Sequence, residues 1–286
     1  MNEFLASLFR QTLQTSEVLL VVTAIFAPLE HFFAIRKAPF FYRGWTVNLG
    51  WYFVNAFVLA FLLAPPLTIA ARGIHAILPH AMTSFGEHLP QGLRMIAAMF
   101  VGEVGFYWGH RLSHEIPFLW RFHAVHHSAT HVGYLVNTRA HPVDLVFTRL
   151  CGVSLLVATG LANAAGGKPD LTIALVLFIG SIWSYFIHAN VKVRLGFFEE
   201  ALACPFFHHW HHTKVDHRDR NYAAMLPVMD RIFGTHYAPK EWPAEYGIEA
   251  PMEENLQAQL LGPFDEVLDR ASAYLGRNGG VRALRR

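Results

Sequence analysis

Long apolar runs separated by short polar breaks dominate the first two thirds of the chain. Five are long enough, or nearly so, to cross a hydrocarbon core that takes about 20 helical residues: Val18 to Ile35, Thr46 to Ala70, Leu93 to Gly109, Pro142 to Ala164 and Leu171 to Ala189. The first reads as a membrane helix, not a cleaved leader. Polar residues with one arginine precede it, no small-residue cleavage site follows, and Glu30 and His31 interrupt its far end. Pro65 and Pro66 predict a break or kink in the second run, as two half-crossings or a re-entrant segment, because proline removes a backbone donor and clashes with the preceding turn. Gly166, Gly167, Lys168 and Pro169 predict a tight break between the last two runs. After His212 the chain turns polar, and Asp216, Arg218, Asp219 and Arg220 read as a solvated face. Between Glu253 and Leu275, Leu256, Leu260, Leu261, Phe264, Val267, Leu268 and Tyr274 predict an amphipathic helix interrupted by Gly262 and Pro263. It packs on the cap of the bundle or lies at the membrane surface. The final GRNGGVRALRR reads as a frayed end.

The pattern predicts an all-α protein: an integral membrane helical bundle of about four to five membrane helices. Composition agrees, since 53% of residues are hydrophobic and 15% charged, against about 25% charged in ordinary soluble domains. A net charge of +2, with aromatics set in apolar runs instead of alternating with basic residues, argues against nucleic acid as a partner. Cys151 and Cys204 form no CxxC, so neither a disulfide framework nor a cysteine-bound metal is indicated. Arg36, Lys37 and Arg43 put the first link on the cytoplasmic side by the positive-inside rule. The Arg72 to Pro90 link then falls outside. The segment His110 to His141 and the chain after Ala189 share the cytoplasmic face as a histidine-rich helical cap, at the inner membrane if the cell is bacterial.

That cap carries the chemistry. HxxxH occurs at His110 and His114, and HxxHH at His123, His126 and His127 and again at His208, His211 and His212. On a helix, positions i, i+3 and i+4 fall within an arc of roughly 100°, so each HxxHH aims three imidazoles at one spot. Neutral imidazole suits iron, zinc, copper or nickel, and eight such residues exceed one tetrahedral ion, so two metals are expected. His188 reaches the same face at the end of the fifth run. Isolated histidines such as His31, His75, His80, His88 and His236 read instead as ordinary polar groups with one hydrogen bond. Glu103, inside the third run, is costly at that depth and is expected to face the bundle interior, on an imidazole N–H or on a neighbouring helix. Asp219, Asn221 and Asp230 are further candidate acceptors for imidazole N–H groups.

With HxxxH, HxxHH, the isolated HAN at His188, and HxxHH followed by DRNY and DRIFGT, the chain resembles the fatty acid hydroxylase and sterol desaturase superfamily. The likeness covers about Leu93 to Tyr237 and includes Arg139, His141 and Pro142 in TRAHP, and Pro205 before the last box. It implies an integral-membrane oxygenase or desaturase with a histidine-bound pair of iron ions. The implied ligands are His110, His114, His123, His126, His127, His188, His208, His211 and His212. It also implies three regions: 1–90 as N-terminal membrane helices, 91–240 as the catalytic region, and 241–286 as a cytoplasmic amphipathic tail. Some members carry a second histidine four residues from the one matching His188, where this chain has Lys192, which leaves one iron with an open or water-filled position. His209 is expected beside the ligands, with His131, His141 and His217 as weaker candidates for a tenth.

Iron with O2 as co-substrate is expected over zinc, because C–H oxidation needs a redox change zinc lacks. The choice between hydroxylation and desaturation stays open, as does the lipid: sterol, fatty acyl or related. A lipid sliding from the inner leaflet would pass Phe106, Tyr107, Trp108, Trp183, Tyr185 and Phe186. No GxGxxG, CxxCH or cluster cysteines occur, so an external electron donor of cytochrome, ferredoxin or pterin type is expected. The rival readings are a zinc-dependent membrane lipid hydrolase and a metal transporter; a transporter would spread ionisable residues through the depth of several spans.

Overall fold

Apolar runs of this length become helices because a helix satisfies its backbone hydrogen bonds within itself. A computed structural model describes residues 2–163, 171–214 and 217–265. The helices are α1 (Asn2–Phe33), α2 (Trp45–Ile77), α3 (His80–Thr83), α4 (Gln91–Glu115), α5 (Pro117–His127), α6 (Pro142–Ala158), α7 (Thr172–His188), α8 (Pro205–His211) and α9 (Val228–Ile232). Single 3-10 turns cover Phe85–His88, Tyr134–Thr138 and Gly196–Glu200. Among the described residues, extended pairing is limited to the bridges Ala34–Val191 and Thr213–Tyr246. The expected glycine-rich break at Gly166 to Pro169, Asp216, and the stretch from Glu266 to the C-terminus lie outside the described residues.

The five expected crossings are matched unevenly. Within the described residues, α1 over Leu5–Phe33 is long and apolar enough to cross a membrane alone. α2 joins it if Trp45–Val58 and Phe61–Ile77, bent by 50°, count as one crossing. α7 is apolar but spans 17 residues, while Arg94 and Glu103 in α4, and Asp144 and Arg149 in α6, interrupt those helices with charge. Pro65 and Pro66 do not break α2, which runs through both. The expected kink is present as the 50° bend between Val58 and Phe61, about one turn before Pro65. Large apolar side chains stay exposed on four helices: Leu20, Val21 and Ile25 on α1, Phe61 and Ile69 on α2, Leu93 and Ile96 on α4, Leu177 and Phe178 on α7. So wide an apolar exterior marks a surface that meets something other than water.

α4 packs most extensively on α6, and glycine sets their spacing. A Cβ at Gly105 would lie 2.5 Å from the Cys151 carbonyl oxygen, and one at Gly109 would lie 3.1 Å from Thr148 Cα. This close approach lets Ser113, near the end of α4, donate to Asp144 at the start of α6 at 2.9 Å. The segment after α5 is held by polar contacts made where water is absent. Asn55 of α2 donates to the Thr138 and Ala140 carbonyls at 2.9 and 3.0 Å. Arg139, 1% exposed, donates to the Val125 carbonyl and Ser128 Oγ, and forms a two-pronged ion pair with Glu254 at 3.1 and 2.8 Å. The expected amphipathic helix is described over residues 256–265. It packs inward: Leu256 and Leu260 lie on Val47, Trp51 and Val125, and Phe264 lies on Phe122 and His141.

Candidate metal centre

Pro117 starts α5 at a position where a missing N–H costs nothing, and Pro205 does the same for α8. Each short helix therefore begins at a fixed place, and its HxxHH falls on the inward face. The donor atoms gather into two groups. His110, His114, His123, His127 and His211 form one; His126, His188, His208 and His212 form the other. Within each group one ring nitrogen per residue lies within 4.8 Å of all the others. α5 and α8 each contribute to both groups, and α4 and α7 complete one each.

The ring nitrogen facing away from each group is mostly anchored. The Nδ1–H groups of His110, His126, His188 and His211 donate to the carbonyls of Tyr222, Arg139, Ser184 and Arg220 at 2.7 to 3.1 Å. His123 Nδ1 pairs with Asp144 at 2.9 Å, and His114 Nδ1 with Asp219 at 3.0 Å. A carbonyl can only accept, so the proton sits on Nδ1 and the Nε2 lone pair points inward. His208 Nε2 lies 3.0 Å from His188 Nε2, and His126 Nε2 and His188 Nε2, each with its proton on Nδ1, face each other at 3.1 Å. Opposed lone pairs repel, and a shared cation relieves them. His114 Nε2, His211 Nε2, His208 Nδ1 and His212 Nδ1 are also buried without a partner. Buried polar atoms left in this way are costly, and ligation satisfies the Nε2 atoms of His114 and His211, whose Nδ1 atoms are already anchored. Burial first, and neighbouring imidazoles second, hold His114, His126, His127, His208, His211 and His212 well below the ordinary imidazole value. They are thus kept in the neutral, metal-binding form. The residues present fit a pair of metal ions.

Comparison with known proteins agrees. The family model described as fatty acid hydroxylase matches residues 95–235, a stretch containing all nine histidines. Ornithine lipid hydroxylase OlsE of Rhizobium tropici is 29% identical over 70% of this chain and 58% of its own length. Alkylglycerol monooxygenase of Danio rerio is 32% identical over 54% of this chain and 32% of its own. Methylsterol monooxygenase 2-2 of Arabidopsis thaliana is 31% identical over 46% and 47%. The chain belongs to the fatty acid hydroxylase and sterol desaturase superfamily. It spans about a third to three fifths of the length of these relatives. No solved structure matches it.

For this member of the superfamily, the remaining candidates divide by what they touch. Asp219 accepts from His114, as expected of it. His209 is fully buried and stays out of both groups: its Nδ1 meets Tyr246 Oη at 2.7 Å, and its Nε2 donates to the Ala189 carbonyl at 3.1 Å, which fixes the turn after His188. Glu103 accepts from the backbone N–H groups of Met225 and Leu226 at 2.7 and 3.1 Å, so it anchors a loop in place of an imidazole. Asn221, at φ 57°, ties the Phe207 and Tyr237 carbonyls together. Asp230 accepts from the N–H groups of Tyr222 and Ala223 and so steadies the carbonyl that holds His110. The three weaker ligand candidates lie elsewhere. His141 caps α6 and meets the Leu260 carbonyl, His131 packs at a tilt against Tyr42, and His217 stacks on Tyr237.

Of the aromatics expected along a lipid path, Phe106 lies beside His110, whereas Tyr107, Trp183 and Phe186 pack in the core beneath α8. Asp144 escaped the sequence reading. It accepts from both His123 and Ser113, and the available signal was an acid two residues into an apolar run, the same cost that singled out Glu103. Lys192, at the place of the missing histidine, is exposed, and the group containing His188 has one imidazole fewer than the other.

Proposed function

We propose that the chain is a membrane-bound non-haem di-iron oxidoreductase that uses O2 to hydroxylate a C–H bond of a lipid. The observation that carries this reading is the gathering of nine buried imidazoles into two adjoining groups with inward lone pairs and orphaned ring nitrogens. His110, His114, His123, His127 and His211 would hold one iron, and His126, His188, His208 and His212 the other, with a position left open where a fifth imidazole is lacking. Bound iron would supply the O2 activation that an unactivated C–H bond requires. Five imidazoles in one group also exceed the tetrahedral set that zinc prefers. The protein's own part is to orient and to exclude water. Asp144, Asp219 and the carbonyls of Tyr222, Arg139 and Arg220 fix ring orientation, and apolar packing around α8 keeps the centre dry.

Hydroxylation is favoured over desaturation because the relatives' names are those of hydroxylases and monooxygenases acting on lipids. The exposed apolar belt supports a lipid bilayer around α1, α2, α4 and α7, with the metal centre at its cytoplasmic face. Two electrons per O2 would come from a separate cytochrome, ferredoxin or pterin donor. Purified protein is expected to hold about two irons per chain and to place labelled oxygen from O2 in a lipid product. His127→Ala or His211→Ala should lose iron and activity, while His75→Ala should lose neither. Tightly held zinc with anaerobic ester cleavage would instead identify a hydrolase, and metal flux into vesicles a transporter.

A further inference from the structure

Beside the metal centre is a second pocket with a different chemistry. It is lined by Glu30, Phe40, Tyr42, Trp45, His131 and Tyr134, where the end of α1 meets the α1–α2 link and the loop after α5. Glu30 is mostly buried, and its position is set from two sides: Oε1 accepts from the backbone N–H groups of Tyr134 at 2.6 Å and Asn190 at 2.9 Å. Among the described residues, no Lys or Arg forms an ion pair with it. Arg36, the nearest cation in sequence, lies over the Tyr246 ring and donates to the Pro243 carbonyl. His131 adds no charge, since burial and Arg36 hold it down at about 4. A largely desolvated carboxyl group with no Lys or Arg paired to it among the described residues, in a pocket lined by four aromatic rings, is a site that a cation would complete. Aromatic faces around an anion are the chemistry that recognises an ammonium group.

We propose that this pocket binds the ammonium group of a lipid headgroup, and so orients an aminolipid or zwitterionic lipid toward the metal centre. Two short segments link the sites. His131 follows His127 by four residues, and Asn190 follows His188 by two, so the pocket wall lies within about 7 to 14 Å of chain from a proposed ligand. The substrate assignment rests on the oxygenase reading; the ammonium site itself does not.

The test is reconstitution of the full chain in an equimolar mixture of phosphatidylcholine, phosphatidylethanolamine and phosphatidylglycerol, with retained lipids counted by native mass spectrometry. The ammonium-bearing lipids should be enriched by about tenfold over phosphatidylglycerol, and choline chloride should compete the enrichment away. Glu30→Gln, which keeps an acceptor for both N–H groups, should abolish it. Trp45→Leu should weaken it and Trp45→Phe restore it, so one poorly folding variant does not decide the matter. Choline binding without lipid enrichment would overturn the lipid assignment, and equal retention of all three lipids with no effect of choline would overturn the site. Enrichment in iron-free protein would stand even if no oxidised lipid formed, and iron with labelled product but no headgroup preference would sink this inference alone.

Discussion

At the scale of single residues, the centre is a set of imidazoles held neutral against their ordinary tendency, and that has a sign. His114, His126, His127, His208, His211 and His212 each have a folded-state pKa below the ordinary value. An unfolded chain takes up these protons near pH 6.5 and the native one resists until lower pH, so the unfolded state binds more protons in between. Stability without metal is therefore fully present above roughly pH 7 and falls as pH drops through about 6.5. Bound metal adds to the native side only, so the metal-loaded protein should withstand lower pH. Thermal denaturation across pH, with and without a chelator, measures both effects. A melting temperature that rises on acidification of the chelated protein would show that these rings are not buried neutral. The HxxHH spacing made these residues readable in the sequence, because i, i+3, i+4 has few other uses for histidine. Asp144 was hidden because its role depends on where α6 begins relative to α5.

At the scale of elements, the centre depends on how closely α4 approaches α6, because His110 and His114 ride on one and the Asp144 that holds His123 rides on the other. Gly105 is the point of closest approach. Gly105→Ala would drive a methyl group into the Cys151 carbonyl region and should destabilise the fold by about 1 to 3 kcal/mol, with metal lost in proportion. Gly102→Ala, on the same helix, meets only Leu156 side-chain carbons at 3.8 and 3.9 Å and should be close to neutral. Denaturation midpoints and metal content on the two variants give the comparison; equal effects would mean that glycine does not set this spacing. Apolar period and length made the helices legible. This spacing was not, because a glycine in an apolar run looks the same whether it faces lipid or a neighbouring backbone. The bend in α2 was legible, since Pro65 and Pro66 marked a kink in that run and the helix turns by 50° between Val58 and Phe61.

For the molecule as a whole, the histidine boxes, Arg36, Lys37 and Arg43 belong to one end, and the links between α2 and α4 to the other. The apolar belt on α1, α2, α4 and α7 lies between. Composition foretold an apolar exterior, but not how many helices reach membrane length, because α4 and α6 carry charges that serve the interior of the bundle. Proposed sidedness follows from the same division. The end with the clustered cations should face the cytoplasm, since short loops rich in Lys and Arg are retained there. His88 is exposed at the opposite end and Lys240 at the histidine end. His88→Cys and Lys240→Cys, each compared with the parent chain to subtract labelling of Cys151 and Cys204, should react oppositely with a membrane-impermeant maleimide. In right-side-out vesicles the first should label and the second should not, and in inverted vesicles the pattern should reverse. Labelling of both from one side would mean that the chain lies on a single leaflet, and an electron donor and a lipid would then have to approach the histidine centre from the same surface.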